Sequence, residues 1–263
     1  KTKMIETLSE VLGLKFSRIQ NTPDLMPSDI TGTHVINETG EGEKEFVFQE
    51  GPIFANMILA DEINRATPKT QAALLEAMQE KQVTAGNKSY QLDKPFFLMA
   101  TQNPLDQEGT YPLPEAQSDR FLIKIKVDYP EEEEENKIVE RFTQELNYEP
   151  ELEEVLSKDS VIQLQEFTTQ VPIADDIRER AVRMVKRTRT HDDLEWGASP
   201  RASLALVKTG KARALLEGRN HVSEEDIEAM SMPVLRHRIG LNFQAEKKGR
   251  EPEDVIEEIV DET

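Results

Sequence analysis

The chain has 263 residues and a mass of 30.0 kDa, which suits one large hydrophobic core or two unequal ones. Hydrophobic residues make up 37% and charged residues 32%, with a mean hydropathy of −0.60, and this balance excludes the low-hydrophobicity extreme of disordered chains. The absence of cysteine excludes disulfide scaffolds, thiol nucleophiles and cysteine-ligated metal sites, and the net charge of −19 argues against a surface that wraps nucleic acid.

Residues 1–130 combine short apolar runs with helical stretches and Gly or Pro turns, a texture typical of an α/β unit. In chain order the pattern predicts a helix over Lys3–Leu12, a strand over Phe16–Gln20, a hairpin of His34–Ile36 with Phe46–Phe48 around Gly40 and Gly42, a strand over Met57–Ala60, a helix over Pro68–Glu80, a hairpin over Gln82–Leu92, and strands over Phe96–Ala100 and Phe121–Val127. The uninterrupted apolar runs at Met57 and Phe96 favour strands buried on both faces of a parallel sheet. The alternating run at Phe121 favours a strand nearer the sheet edge.

Residues 131–263 lose the strand signals and become charged and helical, so we place the domain boundary at Tyr129–Pro130. Helices are predicted after Pro130, over Ile177–Val185, from Ser199-Pro200, from Ser223, and over an apolar stripe at Val255–Val260. No apolar run approaches the ~20 residues that cross a bilayer. We therefore expect a cytoplasmic protein that does not insert into membranes.

Carboxylates follow the first buried strand directly, at Asp61 and Glu62. Ligands collect at the carboxyl ends of parallel strands, where the first carboxylate can hold a hydrated Mg²⁺ and the second can activate a water. The next buried strand ends in Thr101-Gln102-Asn103, and an asparagine there can hydrogen-bond both that water and a γ-phosphate. Each pattern alone also fits a solvated turn, but together they favour one shared crevice.

The chain opens with Lys1-Thr2 directly before a helix, as at the end of a phosphate-binding loop. In such loops the lysine reaches the β- and γ-phosphates and the hydroxyl binds Mg²⁺. The glycines that should precede this pair are not in the sequence, so the pair carries weight only beside other motifs.

Four short motifs occur along the chain in the same order as in a known family. They are Ile58–Ala66 (ILADEINRA), Ala100–Pro104 (ATQNP), Ser118–Phe121 (SDRF) and Gly197–Ala202 (GASPRA). Together they resemble the MoxR family of AAA+ ATPases, relatives of the magnesium-chelatase ATPase subunits. The resemblance implies an α/β P-loop ATPase core with a parallel sheet over residues 1–130, followed by an all-α lid over residues 131–263. Pro23–Gly51 resembles the helix-2 insert of that clade, and Gln82–Leu92 its pre-sensor hairpin.

The resemblance also implies an ATP and Mg²⁺ site in this chain. Lys1 and Thr2 would end the Walker A loop and contact nucleotide, with Thr2 and Asp61 as the Mg²⁺ ligands. Asp61 and Glu62 would form the Walker B pair, in which Glu62 activates the attacking water. Asn103 would be the sensor-one residue that detects the γ-phosphate.

Arginines complete the site that the resemblance implies. Arg120 would be the arginine finger, presented to the nucleotide of the neighbouring subunit, and Arg201 the sensor-two arginine of the lid. Arg201 falls in the first turn of a helix, where the helix dipole disfavours a cation, so a functional reason for its place is favoured over a stabilising pair with a partner carboxylate. The implied partners are further copies of the chain in a head-to-tail ring, by resemblance a hexamer, a client protein, and a protein with a von Willebrand factor A domain.

The sequence departs from the family pattern at its start, because the Walker A glycines and the strand before them are missing. We expect that strand to be central, flanked by the strands that end at Asp61 and Asn103, and therefore expect these residues to be a segment of a longer chain. Three other functions stay open: a magnesium-chelatase-like motor, a DNA-dependent ATPase, and a nucleotide-gated binding module that does not hydrolyse ATP.

Overall fold

The computed structural model describes residues 2–38, 44–103, 109–144 and 152–263. The strands are β1 (Phe16–Gln20), β2 (Gly32–Glu38), β3 (Lys44–Glu50), β4 (Met57–Asp61), β5 (Gln82–Ala85), β6 (Lys88–Gln91), β7 (Phe97–Ala100), β8 (Leu194–Trp196) and β9 (Gly240–Leu241). The helices are α1 (Thr2–Val11), α2 (Pro27–Thr31), α3 (Pro68–Glu80), α4 (Glu115–Ser118), α5 (Glu132–Gln144), α6 (Lys158–Gln170), α7 (Asp175–Thr188), α8 (Pro200–Leu216), α9 (Glu224–Leu235), α10 (Phe243–Lys247) and α11 (Pro252–Glu262).

Within the described residues, a parallel sheet with strand order β1-β4-β7 forms the centre of the N-terminal α/β part of the chain, called the first unit below. Side chains alternate between the two faces of its middle strand β4. On one face Met57 and Leu59 pack with Ile5 of α1, and on the other Ile58 packs with Leu74 of α3. Because both faces are covered, the strand is apolar at every position up to Asp61. The prediction of a parallel sheet is confirmed.

Both flanking helices run antiparallel to the strands. The chain turns at Gly13, in the left-handed region with φ 57°, between the end of α1 and the start of β1. At the far end of α3, Lys81 Nζ donates to the carbonyl of Phe96, immediately before β7, at 3.4 Å. The first residues of α1 and α3 therefore lie toward the carboxyl ends of the strands, and the last residues of α3 lie at the opposite, amino edge.

Helices form a second core, as predicted for the lid. Its buried apolar side chains come mainly from α7, α8, α9 and α11, among them Met184, Leu206, Ile227 and Ile256. The stripe in the C-terminal helix faces this core, since Val255, Ile256 and Ile259 are fully buried. The predicted boundary at Tyr129–Pro130 stays a prediction; contacts with the lid already begin upstream, where Ile123 packs against the helical core.

The helical unit also contains a short antiparallel ribbon, β8 with β9, that the sequence analysis did not predict. Trp196, the single tryptophan of the chain, lies across Gly240, where an added Cβ would come within 2.1 Å of the indole ring. Glycine is therefore needed at this position to admit the ring.

The structure corrects two expectations about the sheet. Phe121–Val127 was predicted as a strand, but these residues form no ladder within the described part of the chain. The amide of Lys124 donates instead to the carbonyl of Pro233 in the lid, at 2.8 Å. The expectation of a further strand between those ending at Asp61 and Asn103 is also wrong, because β4 and β7 pair directly, from Met57↔Phe97 to Ala60↔Ala100. The predicted turn at Gly40 and Gly42 lies outside the described residues.

His237 joins the end of the lid helix α9 to the first unit. Its Nε2 donates to the carbonyl of Phe121 at 3.1 Å, while its Nδ1 is buried with no hydrogen-bond partner. Burial, with the charge of Arg238 as the second cause, lowers the pKa of His237 to about 4. Protonation would add a charge and an unpaired N–H at this junction, so the native state holds the ring neutral.

We predict that stability falls as pH drops through the range between the ordinary histidine pKa and that of His237. The unfolded chain takes up the proton near pH 6.5 and the native state only near pH 4. The stability that the neutral ring contributes is therefore complete above pH 6.5 and is lost progressively as the pH falls to about 4. The full loss is about 3 kcal/mol, at ~1.4 kcal/mol per pKa unit. Urea unfolding at pH 7, 6, 5 and 4 measures it. His237→Gln should flatten the slope over this range, and an unchanged slope would refute the assignment.

Candidate active site

Asp61 is the last residue of β4, where the strand reaches the carboxyl edge of the sheet. Its Oδ1 accepts from the hydroxyl of Thr101 at 2.5 Å. Its Oδ2 accepts from Arg18 of β1, at 2.5 Å from Nη2 and 3.1 Å from Nε. The carboxylate is largely buried and Arg18 is half-exposed. A buried negative charge at this edge is therefore compensated by a cation that has room to move.

Glu62 follows in the left-handed region, with φ 54° and ψ 51°. This conformation costs a non-glycine residue about 1–3 kcal/mol and persists only where the surroundings fix it, often at functional sites. Here the amide of Glu62 donates to Thr101 Oγ1 at 2.9 Å. The turn aims the side chain back toward β1, where Oε2 accepts from Gln20 Nε2 at 3.1 Å, and Arg65 Nη1 lies 3.0 Å from the same oxygen.

Asn103 lies just beyond β7, in a segment tied to the one that follows β4. The amide of Ile63 donates to the carbonyl of Thr101 at 3.0 Å, and Asn64 Nδ2 donates to the carbonyl of Asn103 at 3.5 Å. Asn103 thus lies beside the turn that carries Glu62. Polar groups from two adjacent parallel strands meet at one edge, the position at which open α/β sheets bind ligands.

Thr2 is the first residue of α1, and the direction of that helix brings it to the same edge of the sheet. Lys1, predicted to contact phosphate, lies outside the described residues. The structure therefore groups Thr2, Asp61, Glu62 and Asn103 at the carboxyl edge, and their roles stay predictions.

Arg120 lies elsewhere. It is exposed, and its guanidinium donates to Gln79 in the last turn of α3. That helix has 13 residues, a length of about 20 Å, and ends at the amino edge of the sheet. Arg120 is thus separated by the length of α3 from Asp61 and Glu62 of the same chain.

Arg201 is the second residue of α8, where Ser199 is the N-cap. Its amide donates to Ser199 Oγ at 3.1 Å, and that hydroxyl donates to the carboxylate of Asp119, at 2.9 Å from Oδ2. Arg201 is therefore connected to the residue next to Arg120 in sequence. The two arginines belong to one junction between the first unit and the lid.

The residues at the carboxyl edge fit Mg²⁺ and ATP in their chemistry. Mg²⁺ prefers oxygen ligands and is held in ATPases by one or two carboxylates, with phosphates and water completing its shell. Asp61 supplies a carboxylate, paired here with the half-exposed Arg18, and Thr2 supplies a hydroxyl. Among the described residues no group of three or more His, Cys, Asp or Glu side chains gathers to hold a metal ion.

The sequence analysis missed the side chains that surround the two carboxylates: Arg18, Gln20, Arg65 and Thr101. The register Gln20↔Asp61 puts the end of β1 beside the end of β4. Arg18 and Gln20 stand two residues apart in a short strand and flank the buried Ile19. Two polar side chains on one face of a strand in a buried sheet were the signal in the sequence that could have placed these residues at the site.

Comparison with known proteins defines the class first. Residues 1–123 match the family described as "ATPase family associated with various cellular activities (AAA)", and residues 186–259 match the "AAA lid domain". A crystal structure at 2.00 Å of a candidate ATPase from Cytophaga hutchinsonii superposes with a TM-score of 0.92 and 41% identity, covering 100% of this chain and 81% of that one. The fold is that of an AAA+ ATPase with a parallel sheet and a helical lid.

Curated relatives then narrow the class to one family. Chaperone MoxR1 of Mycobacterium tuberculosis is 43% identical over 269 residues, covering 99% of this chain and 70% of the relative. The uncharacterized protein YeaC of Bacillus subtilis is 46% identical over 261 residues, covering 99% and 80%. The chain belongs to the MoxR family of AAA+ ATPases. None of the helices in the described ranges is long and apolar enough to cross a membrane.

Proposed function

We propose that this protein hydrolyses ATP with Mg²⁺ at the carboxyl edge of its sheet and uses the reaction to remodel or mature a client protein. The observation that carries the proposal is the turn after β4, where Glu62 is held in a left-handed conformation against Thr101, beside Asp61 and Asn103. A relative named as a chaperone supports the client-directed part.

Each residue at this edge has a proposed task. Thr2 and Asp61 would hold the metal, Lys1 would contact the phosphates, and Asn103 would hydrogen-bond the γ-phosphate. Glu62 orients a water and accepts its proton, after its carboxylate leaves Gln20 and Arg65. Arg18, which now pairs with Asp61, would have to move for that carboxylate to hold a metal. A bound Mg²⁺ would supply neutralisation of the charge that develops on the transferred phosphoryl group.

The two arginines act between subunits or within the lid. Arg120 contacts Gln79 at the end of α3 remote from Asp61 and Glu62, which supports a role at the nucleotide of a neighbour in a head-to-tail ring, a hexamer by family resemblance. Arg201 contacts nucleotide from the lid, in its own subunit or the next. The other proposed partners are the client and a protein with a von Willebrand factor A domain. We place the protein itself in the cytoplasm.

Turnover of ATP by the full-length protein tests this proposal in one assay. We expect hydrolysis that stops with EDTA, returns with Mg²⁺, and does not respond to duplex DNA.

Asp61→Asn should raise the Mg²⁺ concentration for half-maximal rate by ~10-fold or more, because a carboxylate next to a metal contributes upward of about 1 kcal/mol. Turnover that EDTA leaves unchanged would contradict the metal assignment. Stimulation by DNA would favour the DNA-dependent alternative.

A further inference from the structure

Arg238 follows the C-terminal end of α9 and is buried where the lid meets the first unit, with its side chain 2% exposed. All five of its N–H groups have acceptors. Nε donates to Asp119 Oδ1 at 3.0 Å, and Nη2 donates to the carbonyls of Asp119, at 3.2 Å, and Phe121. Nη1 donates to the carbonyls of Leu122, at 3.1 Å, and Val234. Four of the five acceptors lie in residues 119–122.

The segment that Arg238 binds is the one that carries Arg120. This segment makes no strand ladder within the described residues, so its backbone carbonyls are satisfied by a lid side chain instead. Asp119, the direct neighbour of Arg120, also accepts from Ser199 Oγ, at 3.1 Å from Oδ1 and 2.9 Å from Oδ2. One carboxylate therefore ties the base of Arg120 to the N-terminus of α8 and to the end of α9.

We infer that Arg238 is a positioning residue for Arg120: it fixes the backbone of residues 119–122 to the lid, so that the lid sets where the finger is presented to the neighbouring subunit. This inference rests on the proposed function, because it assumes that Arg120 acts on a neighbour's nucleotide. A planar guanidinium bound at five points holds the segment in position and orientation. A movement of the lid is then passed to Arg120 without an intervening flexible joint.

Positioning of this kind has a large effect on rate. A displacement of about 1 Å of a group that stabilises the transition state can cost ~100-fold. Lysine at position 238 would keep the charge opposite Asp119 but could not reach the four carbonyls together. We therefore expect Arg238→Lys, and likewise Asp119→Asn, to lower kcat at least ~10-fold while the KM for ATP changes little, since the finger acts in the transition state.

A mixing experiment separates positioning of the finger from damage to the lid. In Arg238→Lys the subunit's own Glu62 is intact, and only the placement of its Arg120 at the neighbour's nucleotide is lost. Mixed with Glu62→Gln subunits, whose Arg120 is intact, the full-length variant should regain turnover well above the sum of the two separate preparations. Asp119→Asn should show the same recovery. Thermal unfolding of each variant confirms that it is folded.

Controls make each failure distinct. Arg219→Lys alters a comparable ion pair inside the lid, with Asp226 at 2.5 Å, that does not contact residues 119–122; it should leave kcat and the mixing result unchanged. If Arg120→Ala recovers with Glu62→Gln but folded Arg238→Lys and Asp119→Asn do not, the positioning role is overturned while the proposed function stands. If Arg120→Ala itself does not recover, Arg120 is not a trans-acting finger, and both its role in the proposed function and the positioning role of Arg238 are wrong.

Discussion

We expect Glu62→Gln to bind ATP as tightly as the wild-type protein and to hydrolyse it about 10²–10⁴-fold more slowly, the usual contribution of a positioned general base. Glutamine matches the size of glutamate and can keep one hydrogen bond to Arg65 through its carbonyl oxygen. It cannot accept a proton from water. Steady-state ATP turnover and nucleotide binding, measured on the same preparation, separate the two steps.

Glu76→Gln is the matched control for this variant. Glu76 is exposed on α3 and lies outside the proposed site, so the same chemical change there should leave turnover at the wild-type rate. Wild-type turnover by Glu62→Gln would show that the catalytic assignment is wrong and would favour a binding module that does not depend on hydrolysis.

The second large effect is expected for Arg120→Ala. Placing a guanidinium on the developing charge of a γ-phosphate is worth about 10³–10⁵ in rate, so kcat should fall by that factor with little change in the KM for ATP. Because Arg120 lies at the far end of α3 from its own Asp61, the loss should appear at the neighbour's site. Mixing Arg120→Ala with Glu62→Gln subunits should therefore restore turnover that neither has alone.

Arg178→Ala serves as the control for loss of an exposed arginine. Arg178 is exposed and forms an ion pair at 2.9 Å with the exposed Asp175 of the same helix; such surface pairs contribute little, so its removal should change neither turnover nor the mixing result. A mixture of Arg120→Ala and Glu62→Gln that stays inactive, with both variants folded and assembled, would remove Arg120 from the trans role.

Local signals predicted elements whose formation depends on near neighbours. The helix over Pro68–Glu80 was predicted at its observed bounds. Thr67 accepts from the amide of Thr70 as its N-cap, and Pro68 fixes the first helical turn. The continuous apolar run at Met57 likewise identified the middle strand, because burial on both faces leaves no polar position before Asp61.

Contacts between distant residues decided what the sequence could not. Phe121–Val127 alternates like a strand, but a strand needs a partner, and the observed partners of its first residues are lid groups such as Arg238, more than a hundred residues away. The pairing of Arg18 with Asp61 spans 43 residues and depends on which strand lies next to β4. Pattern alone gives strands but not their order.

The conformation of Glu62 shows the same limit within the site. No local signal predicts a left-handed glutamate, because the residue type disfavours it and only the surrounding contacts with Thr101, Gln20 and Arg65 hold it. The residue types at the strand ends predicted where ligand would bind. The geometry that orients them came from the fold.

A crystal structure of Glu62→Gln with Mg²⁺ and ATP would test most directly whether this edge is the site of hydrolysis. We predict the γ-phosphate beside Asn103, the metal on Asp61, and the side chain of Arg18 moved off that carboxylate. Nucleotide bound at another place, or an intact Arg18–Asp61 pair beside bound Mg²⁺ and ATP, would contradict the assignment of the hydrolysis site to this edge of the sheet.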